Sequence, residues 1–195
     1  MGITRQETLI HWNYFLTIEE DLYNLNRYVD FSKANDKTFS LEIARILLSA
    51  CSEVDVVLKQ LCLAIDITTS ANSINQYHNL ITTQISDFNS FKVIVPTHGL
   101  ELQPWINWEA NTPPIWWTAH NKVKHERHKL FKLATLKNCL NSVAGLYVSV
   151  LHLYHEEAKT GKLLHLPKLF NVSDEHFGGT GMGRYGHSFK YNLSI

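Results

Sequence analysis

The fold is decided by residues 40–65, which read SLEIARILLSACSEVDVVLKQLCLAI. Apolar side chains recur here at steps of three and four, which is the spacing of one helix face: Ile43, Leu47, Ala50, Val54, Leu58, Leu61 and Ile65. Ser40 can cap the start of this helix, and Asp55 and Lys59 form an i,i+4 pair that supports its outer face. The stretch therefore predicts a long amphipathic helix whose apolar face needs other helices to cover it.

Similar spacing on both sides of this stretch predicts more helices. Periodic apolar residues indicate a helix within 4–29 and a weaker one over 73–85, and Thr112 followed by Pro113 reads as the start of another. The last helix begins near Lys132 and has a wide apolar face, which other helices or a second subunit must cover: Leu133, Leu136, Leu140, Val143, Tyr147, Val150 and Tyr154. We expect an all-α fold, an up-and-down bundle of about four or five helices over residues 1–160.

Two segments lack helical periodicity. Residues 87–114 hold four of the five prolines and two tryptophans, and they predict a long Pro/Trp-rich loop with room for one short strand over 91–95. Residues 161–195 hold six of the nine glycines and predict an irregular Gly-rich C-terminal tail. Gly181 to Gly186 fit the spacing GxGxxG, but the match neither follows a predicted strand nor opens a helix, which argues against dinucleotide binding.

Composition excludes several classes of protein. The chain has 195 residues, 45% of them hydrophobic, with 18 Lys and Arg against 18 Asp and Glu, so no global charge favours nucleic acid or an anionic membrane. Three cysteines without a CxxC spacing argue against a disulfide framework and favour a reducing cytoplasm. The most apolar stretch, Asn138 to His155, is interrupted by polar residues and predicts a buried helix rather than a membrane span. With no targeting segment recognisable, we expect a cytoplasmic protein without a membrane partner.

Positive charge is concentrated in residues 120–132, which read HNKVKHERHKLFK. Five Lys or Arg and three His stand here against one acid. At helical spacing Asn121, His125 and His128 share one side of a helix. His120, Lys124 and Arg127 occupy the neighbouring side. This mixture suits phosphate chemistry, because an imidazole can exchange protons with a ribose hydroxyl and a cation can stabilise a phosphoryl transition state. The alternative is a solvated basic face without a ligand.

Taken together, two segments resemble the HEPN superfamily, small α-helical proteins of prokaryotic defence and toxin systems. The first runs from Phe39-Ser-Leu-Glu-Ile-Ala-Arg through Glu53-Val-Asp-Val-Val-Leu-Lys59, and the second is Trp116-Trp117-Thr-Ala-His-Asn-Lys-Val-Lys-His125-Glu-Arg127. The resemblance covers roughly residues 5–157. Many members are metal-independent ribonucleases that dimerise and place an Arg-polar-x-x-x-His motif from each chain around a shared RNA cleft.

Carried over to this chain, the resemblance matches Asn121 to the polar position and His125 to the histidine of that motif. His120 stands where the arginine belongs, so His120 with Lys124 or Arg127 takes over transition-state stabilisation, or nuclease activity has been lost. His125 would accept the proton of a ribose 2′-hydroxyl, and no metal or cofactor is required. The residues expected to hold RNA phosphates outside the catalytic set are Lys122, Lys124, His128 and Lys129.

The resemblance leaves two functions open. One is an RNA-directed protein, in its sharper form an endoribonuclease of a phage-defence or toxin–antitoxin system with an antitoxin or defence partner. The other is a non-catalytic helical module that dimerises or binds a nucleotide or protein. In both, a homodimer is expected from the family and from the apolar stripe of the last helix.

Three weaker signals have structural alternatives. Trp105, Trp108, Trp116 and Trp117 could stack on RNA bases, but core packing is the better prediction for tryptophans at a loop-to-helix junction. His152, His155 and Glu156 have a spacing that zinc sites sometimes use, although the order does not fit HExxH. Glu53 lies on the more apolar side of its helix and could meet a basic residue of segment 120–132.

Overall fold

The computed structural model describes residues 8–183 and 186–194. In this part of the chain there are six α-helices: α1 Ile10–Leu25, α2 Leu41–Ile65, α3 Ile74–Gln84, α4 Ile115–Leu130, α5 Leu136–Leu153 and α6 His155–Thr160. The predicted helix at 40–65 is confirmed, and the Ser40 hydroxyl accepts a hydrogen bond from the backbone N–H of Ile43 at 3.1 Å. The short helix α6 follows α5 after a break at Tyr154.

The all-α prediction is wrong, because two small antiparallel sheets accompany the helices. One sheet has the order β2-β1-β3, with β1 Val93–Val95 between β2 Leu100–Leu102 and β3 Asn171–Val172. The other is a hairpin of β4 Phe177–Gly183 and β5 Gly186–Tyr191. The strand expected over 91–95 is therefore present, but it is the centre of a sheet whose third strand comes from the C-terminal region.

The C-terminal region was expected to be irregular, but much of its backbone pairs with itself in a β-hairpin. Phe177 lies opposite Tyr191 and Gly183 opposite Gly186, and a bulge falls between Phe177 and Gly179. Gly179 has φ +111° at this bulge, a conformation that side chains disfavour. The GxGxxG match of residues 181–186 therefore spans the end of one hairpin strand and the start of the next, while residues 184 and 185 lie outside the described part.

Helix α5 forms the centre of the core. It packs against α1, α2, α4 and α6 of the same chain, and Tyr147 at its middle is fully buried and stacks on Phe15 with ring centres 4.9 Å apart. The apolar stripe that suggested a dimer interface is thus covered within one chain. The C-terminal region covers part of the same core: Trp12 donates to the carbonyl of Leu164 at 2.7 Å, and the Tyr147 hydroxyl donates to that of Tyr191 at 3.1 Å.

Tryptophans fix the long loop and the start of α4 against α5. The Trp105 indole N–H donates to the carbonyl of Gly145 at 3.2 Å, and that of Trp116 donates to the carbonyl of Pro104 at 2.8 Å. A Cβ on Gly145 would lie 2.8 Å from the Trp116 ring, so glycine permits this close approach. These tryptophans are buried, which confirms that they anchor the core.

The far end of α4 is tied to the start of α2. Phe39 forms an isolated β-bridge with Thr135, and its ring meets Phe131 edge-on with centres 5.7 Å apart. Helix α4 is consequently held at both ends and runs alongside α2. None of the helices within 8–183 and 186–194 has both the length and the apolar character needed to cross a membrane.

Candidate functional site

The space between α2 and α4 is a pocket of about 460 Å³. Both helices contribute the residues that line it: Leu48, Cys51, Ser52, Asp55, Val56, Trp117, His120, Asn121, Lys124 and Arg127. We call it the α2–α4 pocket. It combines an imidazole, an amide, a carboxylate and two cationic groups on a partly apolar floor.

Helical spacing brings His120 and Lys124 together. They follow at a step of four and line the same pocket, as the sequence predicts for this side of the helix, and Arg127 also lines it although it follows a break in helical geometry at Glu126. The helix begins at Ile115 with Pro114 at the N-cap. Thr112 was expected to cap it, but its hydroxyl donates to the carbonyl of Asn107 at 3.1 Å instead. No side chain caps the start of α4, and its Trp116 is instead held by the hydrogen bond to the carbonyl of Pro104.

His120 is the most buried polar group of the pocket. Its side chain lies beneath the pocket beside Trp117, with ring centres 5.6 Å apart, and its Nδ1 has no hydrogen-bond partner among the described residues. Burial and, to a smaller extent, the charges of Lys124 and His125 together lower the pKa of His120 to about 4, against the opposing effect of Asp55. His120 is therefore neutral at physiological pH and cannot supply positive charge to a bound phosphate.

Positive charge in the pocket comes from Lys124 and Arg127. Both side chains are exposed, and neither forms an ion pair with a residue that the structure describes. Cations that are not neutralised by a protein carboxylate are available to an anionic ligand. The arrangement can thus bind a phosphate at the mouth of the pocket, above a neutral imidazole.

Asp55 is a pocket residue that the sequence analysis assigned only to the outer face of its helix. Its carboxylate accepts a hydrogen bond from the Tyr77 hydroxyl at 3.1 Å and lies 3.9 Å from the Lys59 ammonium group. Its spacing from Cys51 and Ser52 could have placed it on the same face of α2. The sequence could not show that this face meets segment 120–132, because that contact depends on how two helices that are distant in sequence pack together.

Four residues predicted for the site lie outside the α2–α4 pocket. His125 is exposed on α4, although it is near enough to lower the pKa of His120. Lys122 lines a separate cavity of about 280 Å³ on another side of the helix. His128 and Lys129 are exposed in the last turn, beyond a break in helical geometry at Glu126, where φ is −129° and ψ 42°. The structure thus gathers His120, Asn121, Lys124 and Arg127 and leaves the other four residues on the surface around them.

Two further predictions from the sequence have clear outcomes. Glu53 does not meet the basic segment, because it pairs with His11 of α1 at 2.6 Å. His152 is fully buried with its Nδ1 on the carbonyl of Val148 at 2.8 Å, while His155 lies 3.1 Å from Glu156. Within the described residues no group of three or more His, Cys, Asp or Glu is arranged to hold a metal ion.

Comparison with known proteins adds no further assignment. Neither a family model, nor a curated protein, nor a solved structure matches this chain.

Proposed function

We propose that this protein binds RNA in the α2–α4 pocket and cleaves it as a metal-independent endoribonuclease of HEPN type. The observation that supports the proposal is the presence of two cations, Lys124 and Arg127, which pair with no acid in the described part of the chain and lie beside His120 and Asn121 in one pocket. Single-stranded RNA offers a phosphate to the cations and a ribose hydroxyl to the nearby imidazoles. The surface residues Lys122 and Lys129 continue the positive charge along α4, and together with His128 they contact neighbouring phosphates.

The chemical step is a transesterification within the RNA. His125 accepts the proton of a ribose 2′-hydroxyl, the 2′-oxygen forms a bond to the adjacent phosphorus, and the bond from phosphorus to the 5′-oxygen breaks. The departing 5′-oxygen takes a proton from water, and the product carries a 2′,3′-cyclic phosphate. Lys124 and Arg127 stabilise the charge that develops on the phosphoryl oxygens, since the neutral His120 cannot do so.

One observation favours a second candidate, a non-catalytic HEPN-like module that dimerises or binds a nucleotide or a protein. His125 is exposed on α4 and lies outside the pocket that holds the cations. In the catalytic proposal a homodimer closes the cleft over His125, whereas the non-catalytic module binds through the pocket alone. We propose a cytoplasmic location for both candidates, and for the ribonuclease a role in a defence or toxin–antitoxin system with a partner protein.

Cleavage of a mixed RNA pool in EDTA separates the two candidates. Wild type should give cyclic phosphate ends, which should disappear in His125→Ala and persist in His187→Ala, an exposed histidine of β5 outside the proposed site. A His125→Ala protein that cleaves as fast as wild type overturns the catalytic role of His125. Binding of the RNA without any cleavage by wild type supports the non-catalytic module, and the absence of both binding and cleavage refutes the proposal.

A further inference from the structure

Among the described residues that line the α2–α4 pocket, Asp55 is the only acid, and the proposed RNA chemistry gives it no role. A carboxylate repels a phosphate, so in a complex with RNA it must face another part of the nucleotide. The inference drawn from this rests on the proposed binding of RNA in the pocket.

The Asp55 carboxylate is accessible to a ligand, because its side chain is 41% exposed. The Tyr77 hydroxyl donates to Oδ1 at 3.1 Å, whereas Oδ2 accepts no hydrogen bond from a described residue. Neighbouring Lys59 does not supply one, since its ammonium group lies 3.9 Å from Oδ2, which exceeds the length of a hydrogen bond. An ionised carboxylate can accept about four hydrogen bonds, so both oxygens have capacity for donors that enter the pocket.

Asp55 is held in place from outside the pocket. Tyr77 belongs to α3 and is fully buried, so its hydroxyl ties Asp55 Oδ1 to a fixed partner. This contact orders the carboxylate before a ligand arrives, which lowers the entropic cost of binding.

The acceptor group and the phosphate-binding groups are separate parts of one pocket. Asp55 forms no ion pair with Lys124 or Arg127 in the described part of the chain. The pocket volume of about 460 Å³ lies within the range of small-molecule sites, which is enough for one nucleotide. A phosphate on the cations thus leaves room for the attached base on the side of Asp55.

The base has an apolar floor beside Asp55. Val56 and Trp117 line the pocket, and the buried His120 ring lies next to Trp117 with ring centres 5.6 Å apart. Asp55 is near enough to His120 for its charge to raise the pKa of that imidazole. A planar base that lies on this floor can therefore present its edge to the Asp55 carboxylate.

The donor pattern that a carboxylate requires selects one base. Guanine offers its N1–H and its 2-amino group side by side, which matches the two oxygens of a carboxylate in a bidentate pair. Adenine and cytosine each have an amino group next to a ring nitrogen acceptor, and uracil has its N3–H between two carbonyl oxygens. Each of these three edges sets an acceptor against the carboxylate. Single-stranded RNA leaves the base edges free to be recognised.

We propose that Asp55 makes the α2–α4 pocket selective for guanine, with its carboxylate accepting from N1–H and the 2-amino group while Lys124 and Arg127 hold the adjoining phosphate. Removal of the carboxylate should weaken binding of RNA that contains guanosine and relieve repulsion of the phosphates in RNA that lacks it. If Asp55 served only to hold the fold through Tyr77, its removal would weaken the binding of every RNA.

The test is fluorescence anisotropy of the full chain with labelled oligouridine, alone or with one central guanosine, inosine or adenosine. Wild type should bind the guanosine RNA about tenfold or more tighter than the adenosine RNA and oligouridine. Inosine keeps N1–H but lacks the 2-amino group, so its RNA should have an intermediate affinity. Asp55→Asn keeps the shape of the side chain; it should remove most of the preference for guanosine and leave the affinity for oligouridine equal or higher. Lys59→Gln, one turn along α2 and outside the pocket lining, should keep the preference.

Failure of the RNA site and failure of the guanine selectivity give different results. No binding of any of these RNAs by wild type would overturn the RNA site and the selectivity with it. Binding of oligouridine without tighter binding of the guanosine RNA would overturn the selectivity alone. An unchanged preference in a folded Asp55→Asn protein, or an equal loss for every RNA, would do the same. If Asp55→Asn does not fold, wild type decides, since inosine RNA bound as tightly as guanosine RNA contradicts a bidentate contact with Asp55.

Discussion

Acidification should destabilise this protein through His120. The pKa of His120 is about 4 in the folded chain and 6.5 as its ordinary value, so the unfolded state binds a proton that the folded state excludes. The contribution of the neutral His120 imidazole to the stability of the folded state is complete above the ordinary pKa and is lost as the pH falls from about 6.5 to about 4. A difference of about 2.5 in pKa corresponds to about 3 kcal/mol of unfolding free energy.

Urea denaturation at about pH 7.5 and about pH 4.5 measures this contribution. His120→Gln replaces the imidazole by an amide that does not titrate. When the pH is lowered from about 7.5 to about 4.5, the variant should therefore lose about 2–3 kcal/mol less unfolding free energy than wild type loses. His152 is unchanged in both proteins and cancels in the comparison. His128→Gln, at an exposed position of the same helix, should behave like wild type. Equal pH dependence in His120→Gln and wild type would refute the reasoning.

Three further changes test the packing around the site. Gly145→Ala should lower the unfolding free energy by about 1–3 kcal/mol in urea denaturation, because the new Cβ would lie 2.8 Å from the buried Trp116 ring. This loss should exceed the gain from the higher helix propensity of alanine. A variant that is more stable than wild type would contradict this prediction. Burial raises the pKa of Glu19, so ionisation of its carboxyl group opposes folding as the pH rises from 4.5 through that raised pKa; Glu19→Gln removes this opposing contribution and should therefore gain more stability than wild type between the two pH values of the same assay. Thr135→Ala removes the hydroxyl that accepts a hydrogen bond from the N–H of Asn138 at 3.3 Å. The variant should lose about 1 kcal/mol of unfolding free energy, measured as a lower melting temperature. An unchanged melting temperature would show that the cap contributes nothing.

The helices could be predicted where an apolar stripe continues over several turns. Residues 40–65 and 133–154 have such stripes, and they form the long buried helices α2 and α5 because covering the stripe decides the conformation, although α5 begins at Leu136 and not near Lys132 as predicted. The strands of the C-terminal region could not be predicted in this way. Their glycines have low strand preference, and the hairpin depends on backbone pairing and on contacts such as the edge-on meeting of Phe177 and Phe189.

The site was predictable within one helix and not between helices. The spacing of His120 and Lys124 places them on one side, and the structure agrees, whereas Arg127 reaches the same pocket from beyond the break at Glu126. Which side of α4 meets α2 is decided by distant packing, namely Trp116 under the long loop and Phe39 against the end of α4. That packing brings Asp55 into the pocket and leaves His125 on the surface, and local spacing contains no information about it.

A matched pair of lysine variants tests the central claim, RNA binding in the α2–α4 pocket, most directly. Lys124 lines the pocket, whereas Lys122 lies two residues away on the same helix and lines a different cavity. Fluorescence anisotropy with a labelled single-stranded RNA should show that Lys124→Gln loses affinity about tenfold or more and that Lys122→Gln loses clearly less. In both variants the affinity for RNA should depend less steeply on the salt concentration than in wild type. Equal losses in the two variants, or no loss in Lys124→Gln, would contradict the assignment of the pocket as the RNA site.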